Sequence, residues 1–281
     1  MAERLDVQKT YKLFIGGAFP RSESGRTFAV HASDGALIAN VAAASRKDLR
    51  DAVVAARSAQ AGWAARTAYN RGQILYRVAE VMEGRSTQFV EELRRCGTEK
   101  GAARREVDRA IDRWVWYAGW CDKFHHIAGT VNPVAGPYFN FTFPEATGVV
   151  GILAPSDSPL FGLVSRLAPA LVSGNTAVVL TGEASPLTAC SMAEVVATSD
   201  VPGGVVNILT GAMGDMLPWL LGHRDVNAVD LTGAPDDLAA SVIAEAADNV
   251  KRLIRGEAND QSPYIIADFC EMKTVWHPVG R

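Results

Sequence analysis

The stretch "GVVGILAPSDSPLFGLVSRLAPALVSGNTAVVLTGEASPLT", residues 148–188, decides the fold. Two short apolar runs, "GVVGILA" and "TAVVL", flank the longer amphipathic run "SPLFGLVSRLAPALVSG". A buried strand, a helix long enough to cross back and a second buried strand make a βαβ unit on a parallel sheet. The alternation continues outward through the strands "VVNIL" and "AVDL" and the helices "SPLTACSMAEVVATSD", "AMGDMLPWLLGH" and "PDDLAASVIAEAADN". The expected fold is therefore α/β: a Rossmann-like parallel sheet with flanking helices. No GxGxxG fingerprint follows the first strand, so the pattern alone does not assign nucleotide binding.

Upstream, apolar residues recur at helical spacing from Ser45 to Arg94 and from Lys100 to Lys123, as in Ile74, Val78, Val81 and Met82. These read as amphipathic helices, each with an apolar face to cover another element. The opening "YKLFIGGAFPRSESGRTFAV" reads as a hairpin at a domain edge, with turns at Gly-Gly and Ser-Gly-Arg. A second strand-rich patch, "IAGTVNPVAGPYFNFTFPE", sets Phe139, Phe141 and Phe143 on one face and Tyr138, Asn140 and Thr142 on the other. The final "FCEMKTVWHPVGR" reads as a short strand in need of a sheet.

Length and composition narrow the function. The 281 residues suit about two domains, and the formal net charge of −3 leaves no basic excess for nucleic acid. "MAERLDVQKTYKL" has no apolar leader core, and no apolar run nears the roughly 20 residues of a membrane span. The expectation is a cytoplasmic protein without nucleic-acid or membrane partners. Cys96, Cys121, Cys190 and Cys270 show no paired spacing and are expected as free thiols. Cys121 with His125 lacks a second ligand pair, so no metal is expected. Trp114, Trp116, Tyr117 and Trp120 stand at helical spacing and read as packing.

In residues 148–188, in "REVDRAIDRWVWYAGWCDKF" and "FIGGAFPRSESGRTF" before them, and in "VPGGVVNILTG" and "SPYIIAD" after, the chain resembles the aldehyde dehydrogenase superfamily. That family oxidises aldehydes with NAD or NADP through a cysteine thiohemiacetal, and a glutamate activates the water that releases the acid. The resemblance places Glu257, in "GEANDQSP", at the family glutamate, while no cysteine matches the family nucleophile. Asp157 stands where the family has an oxyanion-donating asparagine, and an ionised carboxylate cannot donate. Losing such a donor costs on the order of 10²–10³ in rate. Read from the residues alone, Asp157 is an N-cap for the following helix.

The resemblance also implies a weakened cofactor site. Glu183, Thr232 and Gly233 match it, but Leu180 replaces the lysine that bonds the adenosine ribose. Leu238 replaces a glycine, and Asp236 and Asp237 bring charge to a helix start that would otherwise favour phosphate. NAD is expected to bind weakly at most, with no cofactor held tightly.

The terminal strand resembles the family's C-terminal YTExKTVWI, yet it follows "SPYIIAD" directly, where the family enters its catalytic domain. A stretch on the order of 150–200 residues, a domain's worth, is missing between them. The domain reading is 1–126 and 146–268 for the Rossmann-like part and 127–145 with 269–281 for a small antiparallel oligomerisation sheet, with the catalytic domain absent. Tyr138, Phe139, Phe141, Phe143, Met272, Val275 and Trp276 are the expected oligomerisation residues. The resulting expectation is a pseudoenzyme, a structural or regulatory subunit assembling with a full-length aldehyde dehydrogenase, itself, or both. The alternatives are a nucleotide-binding regulatory or sensor protein and an enzyme of altered chemistry using Glu257 and Asp157 as acid and base.

Overall fold

The computed structural model describes residues 9–241 and 243–280. Residues 1–8, part of the leader reading, and Arg281, the last residue of the terminal strand segment, lie outside the described residues. Strands β1 (Lys9–Tyr11), β2 (Thr27–His31) and β3 (Leu37–Ala42) form a first sheet in the order β1-β3-β2. The opening segment makes two reversals. At Gly16-Gly17 the flanking runs pair, Ile15 and Ala18 exchanging backbone hydrogen bonds at 3.0 Å and the Leu13 N–H donating to the Pro20 carbonyl at 3.1 Å; β1 itself lies parallel to β3, and the longer hairpin is β2–β3. Its turn is made at Asp34-Gly35, where the Asp34 carboxylate accepts from the Ala36 N–H at 2.9 Å and Gly35 takes φ +86°.

Helices α1 (Arg46–Ala64), α2 (Ala68–Gly84), α3 (Ser86–Arg95), α4 (Lys100–Ala118) and the short α5 (Phe124–Ala128) follow. The chain then lays down β4 (Thr130–Asn132) and β5 (Tyr138–Ala146) before entering the main sheet. There β6 (Val149–Leu153), α6 (Pro159–Val172), β7 (Thr176–Thr181), α7 (Leu187–Ala197), β8 (Val206–Thr210), α8 (Met213–Gly222) and β9 (Ala228–Asp230) alternate. Residues 236–241 (α9) and 243–247 (α10) are helical, and β10 (Arg252–Ile254), α11 (Ile265–Asp268) and β11 (Cys270–Pro278) end the described chain. The main sheet is parallel in the order β10-β9-β6-β7-β8. Strand β10 had no counterpart in the sequence reading.

Both faces of this sheet are buried, which is why its strands read as continuous apolar runs. Val150, Ile152, Ala177, Val179 and Ile208 face a core shared with α2, α4, α6 and α7. Val149, Leu153, Val178, Leu180 and Leu209 face a second core under α1 and α8. Trp114 and Tyr117 are fully buried in the first core, and Trp116 meets the Tyr117 ring edge-on at 4.8 Å, so the aromatic cluster packs.

The second small sheet, in the order β11-β5-β4, is antiparallel, and β11 pairs with β5 from Cys270↔Ala146 to Pro278↔Tyr138. Asn175, fully buried, joins it to the core. Its Oδ1 accepts from the Gly148 N–H at 2.7 Å, and its Nδ2 donates to the Phe269 carbonyl at 2.7 Å and the Ala170 carbonyl at 3.1 Å. One side chain thus grips the chain just after β5 and just before β11.

Register divides the oligomerisation residues between two faces. Phe139, Phe141 and Phe143 form one row, with ring centroids 5.4 and 5.9 Å apart, and Val275 pairs opposite Phe141. Tyr138, Met272 and Trp276 belong to the other face, where Trp276 meets the Tyr138 ring edge-on at 5.8 Å. Phe139 is 47% exposed and Trp276 59%, whereas Phe141 is partly covered by its neighbours.

Candidate functional site

Order β10-β9-β6-β7-β8 reverses direction between β6 and β9, and a crevice opens outside the carboxyl ends of strands at such a switch point. Here it is a cleft of about 420 Å³. The loop after β6 contributes Pro155 and Asp157, the loop after β9 Thr232 and Ala234, and the loop after β10 Gly256 and Glu257. The structure thus brings Asp157, Thr232 and Glu257 together. A recess of about 320 Å³ shares Asp157 and extends towards Glu106 and Arg109 of α4.

Three other expected residues stand elsewhere. Glu183 is exposed on the β7–α7 turn and does not line the cleft. Leu180 is fully buried in the core under α1 and α8, in register with Leu153 and Leu209. Gly233 packs on backbone: a Cβ there would stand 2.4 Å from the Leu153 carbonyl oxygen and from the Ala154 carbonyl carbon. Its N–H donates to that Leu153 oxygen at 3.1 Å, so Gly233 closes the β6–β9 crossing.

The N-cap reading of Asp157 is corrected. The helix begins after Ser158, which makes no side-chain cap bond, and the α6 N–H groups of Leu160 and Phe161 donate to Oε1 of Glu106 at 2.9 and 3.2 Å. Asp157 is left exposed at the cleft wall. Burial pushes the Glu106 carboxyl above the usual range, against the opposing pull of these two N–H groups, and Asp157 adds to the rise.

Beneath the cleft lies a pair the sequence reading did not single out. Arg166 of α6 and Asp230 of β9, 1% and 0% exposed, meet at 2.5 Å between Nε and Oδ2. The other Asp230 oxygen accepts from the Thr232 N–H at 2.9 Å and its hydroxyl at 2.5 Å, and the Gly256 N–H donates to that hydroxyl oxygen at 3.1 Å. The loop beyond Gly256 is held from α4. Arg113 donates to the carbonyls of Asp260 at 2.5 Å and Ala258 at 3.3 Å, and Arg109 donates to the Asn259 side chain at 2.7 Å. Both guanidinium groups lie over the Phe161 ring. The cleft floor is therefore rigid, and its walls carry Asp157, Asp236 and Glu257 against Arg255, which pairs with Asp236 at 3.2 Å.

No cysteine lines this cleft among the described residues. Cys121 is buried with its thiol aimed at the Tyr117 carbonyl. Cys270 lies in β11, its thiol donating to the Ile266 carbonyl at 3.2 Å. Burial pushes the Cys121 and Cys190 thiols up to about 12 and Cys270 up to about 11. Nucleophilic cysteines show the opposite shift. A thiol reagent at about pH 8 is expected to spare Cys121, Cys190 and Cys270 in the native protein and to label them in urea. Fast labelling of folded Cys270 would restore it as a candidate nucleophile.

Comparison with known proteins gives a consistent match. The aldehyde dehydrogenase family pattern covers residues 19–279. Cytosolic 10-formyltetrahydrofolate dehydrogenase of Mus musculus is 34% identical over 279 residues, which cover 96% of this chain and 30% of that protein. HpcC from Thermus thermophilus superposes with a TM-score of 0.83 at 30% identity, over 89% of this chain and 48% of that one. Aldehyde dehydrogenase from Bacillus cereus, solved as an NAD+ complex, gives 0.82 at 26% identity, over 87% of this chain and 50% of that one. The chain therefore spans less than a third of the length of the 10-formyltetrahydrofolate relative and about half of those solved chains. Among the described residues no helix is long and apolar enough to cross a membrane.

Proposed function

Because this chain belongs to the aldehyde dehydrogenase family, we propose that it is a non-catalytic member that assembles with a full-length NAD(P)-dependent aldehyde dehydrogenase as a structural or regulatory subunit. One observation carries the reading: α11 runs through Phe269 alone into β11, so the cleft holding Glu257 receives neither a nucleophilic thiol nor a domain to cover it. Glu257 can still accept a proton from water there. With no acyl-thioester to attack, that capacity completes no oxidation.

The residues also fit a tightly held dinucleotide poorly. A lysine at position 180 would start from the floor of an apolar core, and Asp236 and Asp237 stand in the first turn of α9, where they oppose phosphate. What remains prominent is the small sheet, whose two faces expose Phe139, Tyr138, Met272 and Trp276. Contiguous aromatic surface of this kind marks an interaction site.

Two measurements test the proposal together. Purified chain, given NAD(P)+ and short aliphatic or aromatic aldehydes, is expected to produce no reduced cofactor above the buffer rate. Light scattering is expected to show a mixed species when the chain is added to a full-length aldehyde dehydrogenase from the same source. Steady turnover lost in Glu257→Gln, or a chain that stays monomeric beside its candidate partner, would sink it.

A further inference from the structure

We propose that the groove between the start of α1 and the end of α8 is a nucleoside-phosphate site, separate from the cleft at the strand ends. At about 980 Å³ it is the larger of the two concavities, and it shares no lining residue with that cleft. Pockets of roughly 300–1,000 Å³ accept ligands of nucleotide size.

Three features of its wall select the ligand. First, the Arg46 guanidinium lies 3.6 Å from the centroid of the Trp219 ring, and Trp219 remains 46% exposed. A stacked guanidinium and indole form a platform on which a planar base can lie.

Second, the positive charge is only partly neutralised from within. Lys47 is satisfied by Glu23 at 3.4 Å and Arg50 by Asp51 at 2.7 Å. Among the described residues, Arg26 and Arg46 reach no carboxylate, and the nearest side-chain acceptor of Arg26 is the Ser24 hydroxyl at 3.5 Å. Two guanidinium groups that line the groove without a carboxylate partner suit a phosphate, which a guanidinium can meet with two N–H donors. Third, the groove is not charged throughout but has an apolar side as well. Leu49 and Pro218 complete the apolar side against which the base edge rests. An anion alone would use only the arginines, and an aromatic ring alone only the platform. The combination of planar ring and anion is that of a nucleotide.

The test is calorimetric titration of the intact chain with ADP, with adenosine and pyrophosphate as separate probes. ADP is expected to bind at one site, and Arg46→Ala and Trp219→Ala are each expected to weaken it by about tenfold or more. Adenosine and pyrophosphate should each bind more weakly than ADP. Glu183→Ala, on the exposed β7–α7 turn, should leave ADP binding unchanged. Three results would overturn the assignment: no saturable binding tighter than about 1 mM, pyrophosphate matching ADP, or loss of ADP binding in Glu183→Ala while Arg46→Ala is silent. If Trp219→Ala fails to fold, the exposed Arg46→Ala decides alone. Neither activity nor assembly enters these readouts, so their outcome is independent of the subunit proposal.

Discussion

Asp230→Ala is expected to destabilise the fold by about 3–5 kcal/mol, because it leaves the Arg166 guanidinium buried without its counter-charge. In thermal unfolding this corresponds to a fall of roughly 6–20 °C. The loss extends to the cleft. Asp230 also holds the Thr232 N–H and hydroxyl, and Thr232 in turn accepts the Gly256 N–H, so the loops after β9 and β10 loosen together. Among the described residues no second carboxylate pairs with Arg166, and its Nη2 is buried without a hydrogen bond. Replacing both residues by apolar ones of similar volume, Arg166→Met with Asp230→Val, should recover much of the stability, since the isolated charge rather than the missing attraction is the dominant cost. Urea midpoints of the two single variants and the double variant measure this. A single change costing less than about 1 kcal/mol would mean that water reaches the pair and the floor is not closed.

The second large effect is expected at the small sheet. Phe139→Ala and Trp276→Ala lie on opposite faces, and each is expected to weaken the proposed association with a full-length aldehyde dehydrogenase by about 30-fold or more, the equivalent of about 2 kcal/mol at a central anchor. Both are exposed in the isolated chain, so neither substitution should move the melting temperature of the chain by itself. Sedimentation of mixtures with each variant reads the effect. Loss with one variant only would identify a single covered face, and indifference to both would end the proposal that this sheet docks.

Residues 148–188 carried the α/β reading because both faces of the main sheet are buried, and burial on both faces leaves an apolar run that sequence displays directly. The terminal strand was legible for a similar reason: Thr274, Val275 and Trp276 are strong strand formers followed by proline. Strand β10 was missed because its three residues offer only Leu253 and Ile254 as apolar members, too short a run to announce itself. The Glu106 cap of α6 escaped because its acceptor arrives from 54 residues away, whereas cap patterns are local. Asp230 carried a signal that went unused. A carboxylate inside the buried strand "AVDL" requires a partner, and the one arginine in the apolar run of α6 was available in the sequence. The division of the aromatic residues between two faces depends on register, which pairing sets and composition does not.

Asn175 gives the small sheet a property beyond its surface chemistry. Because one buried amide clasps Gly148 and Phe269, the two crossings into the sheet are fixed side by side, and the sheet leaves the core at a set angle. Freedom that a loosely tethered hairpin would lose on docking has already been lost in folding. Preorganisation of this kind removes an entropic penalty from an encounter, so a partner in the proposed assembly would meet a surface already aimed, and the speed of capture would depend on collision and orientation rather than on waiting for a hinge to close.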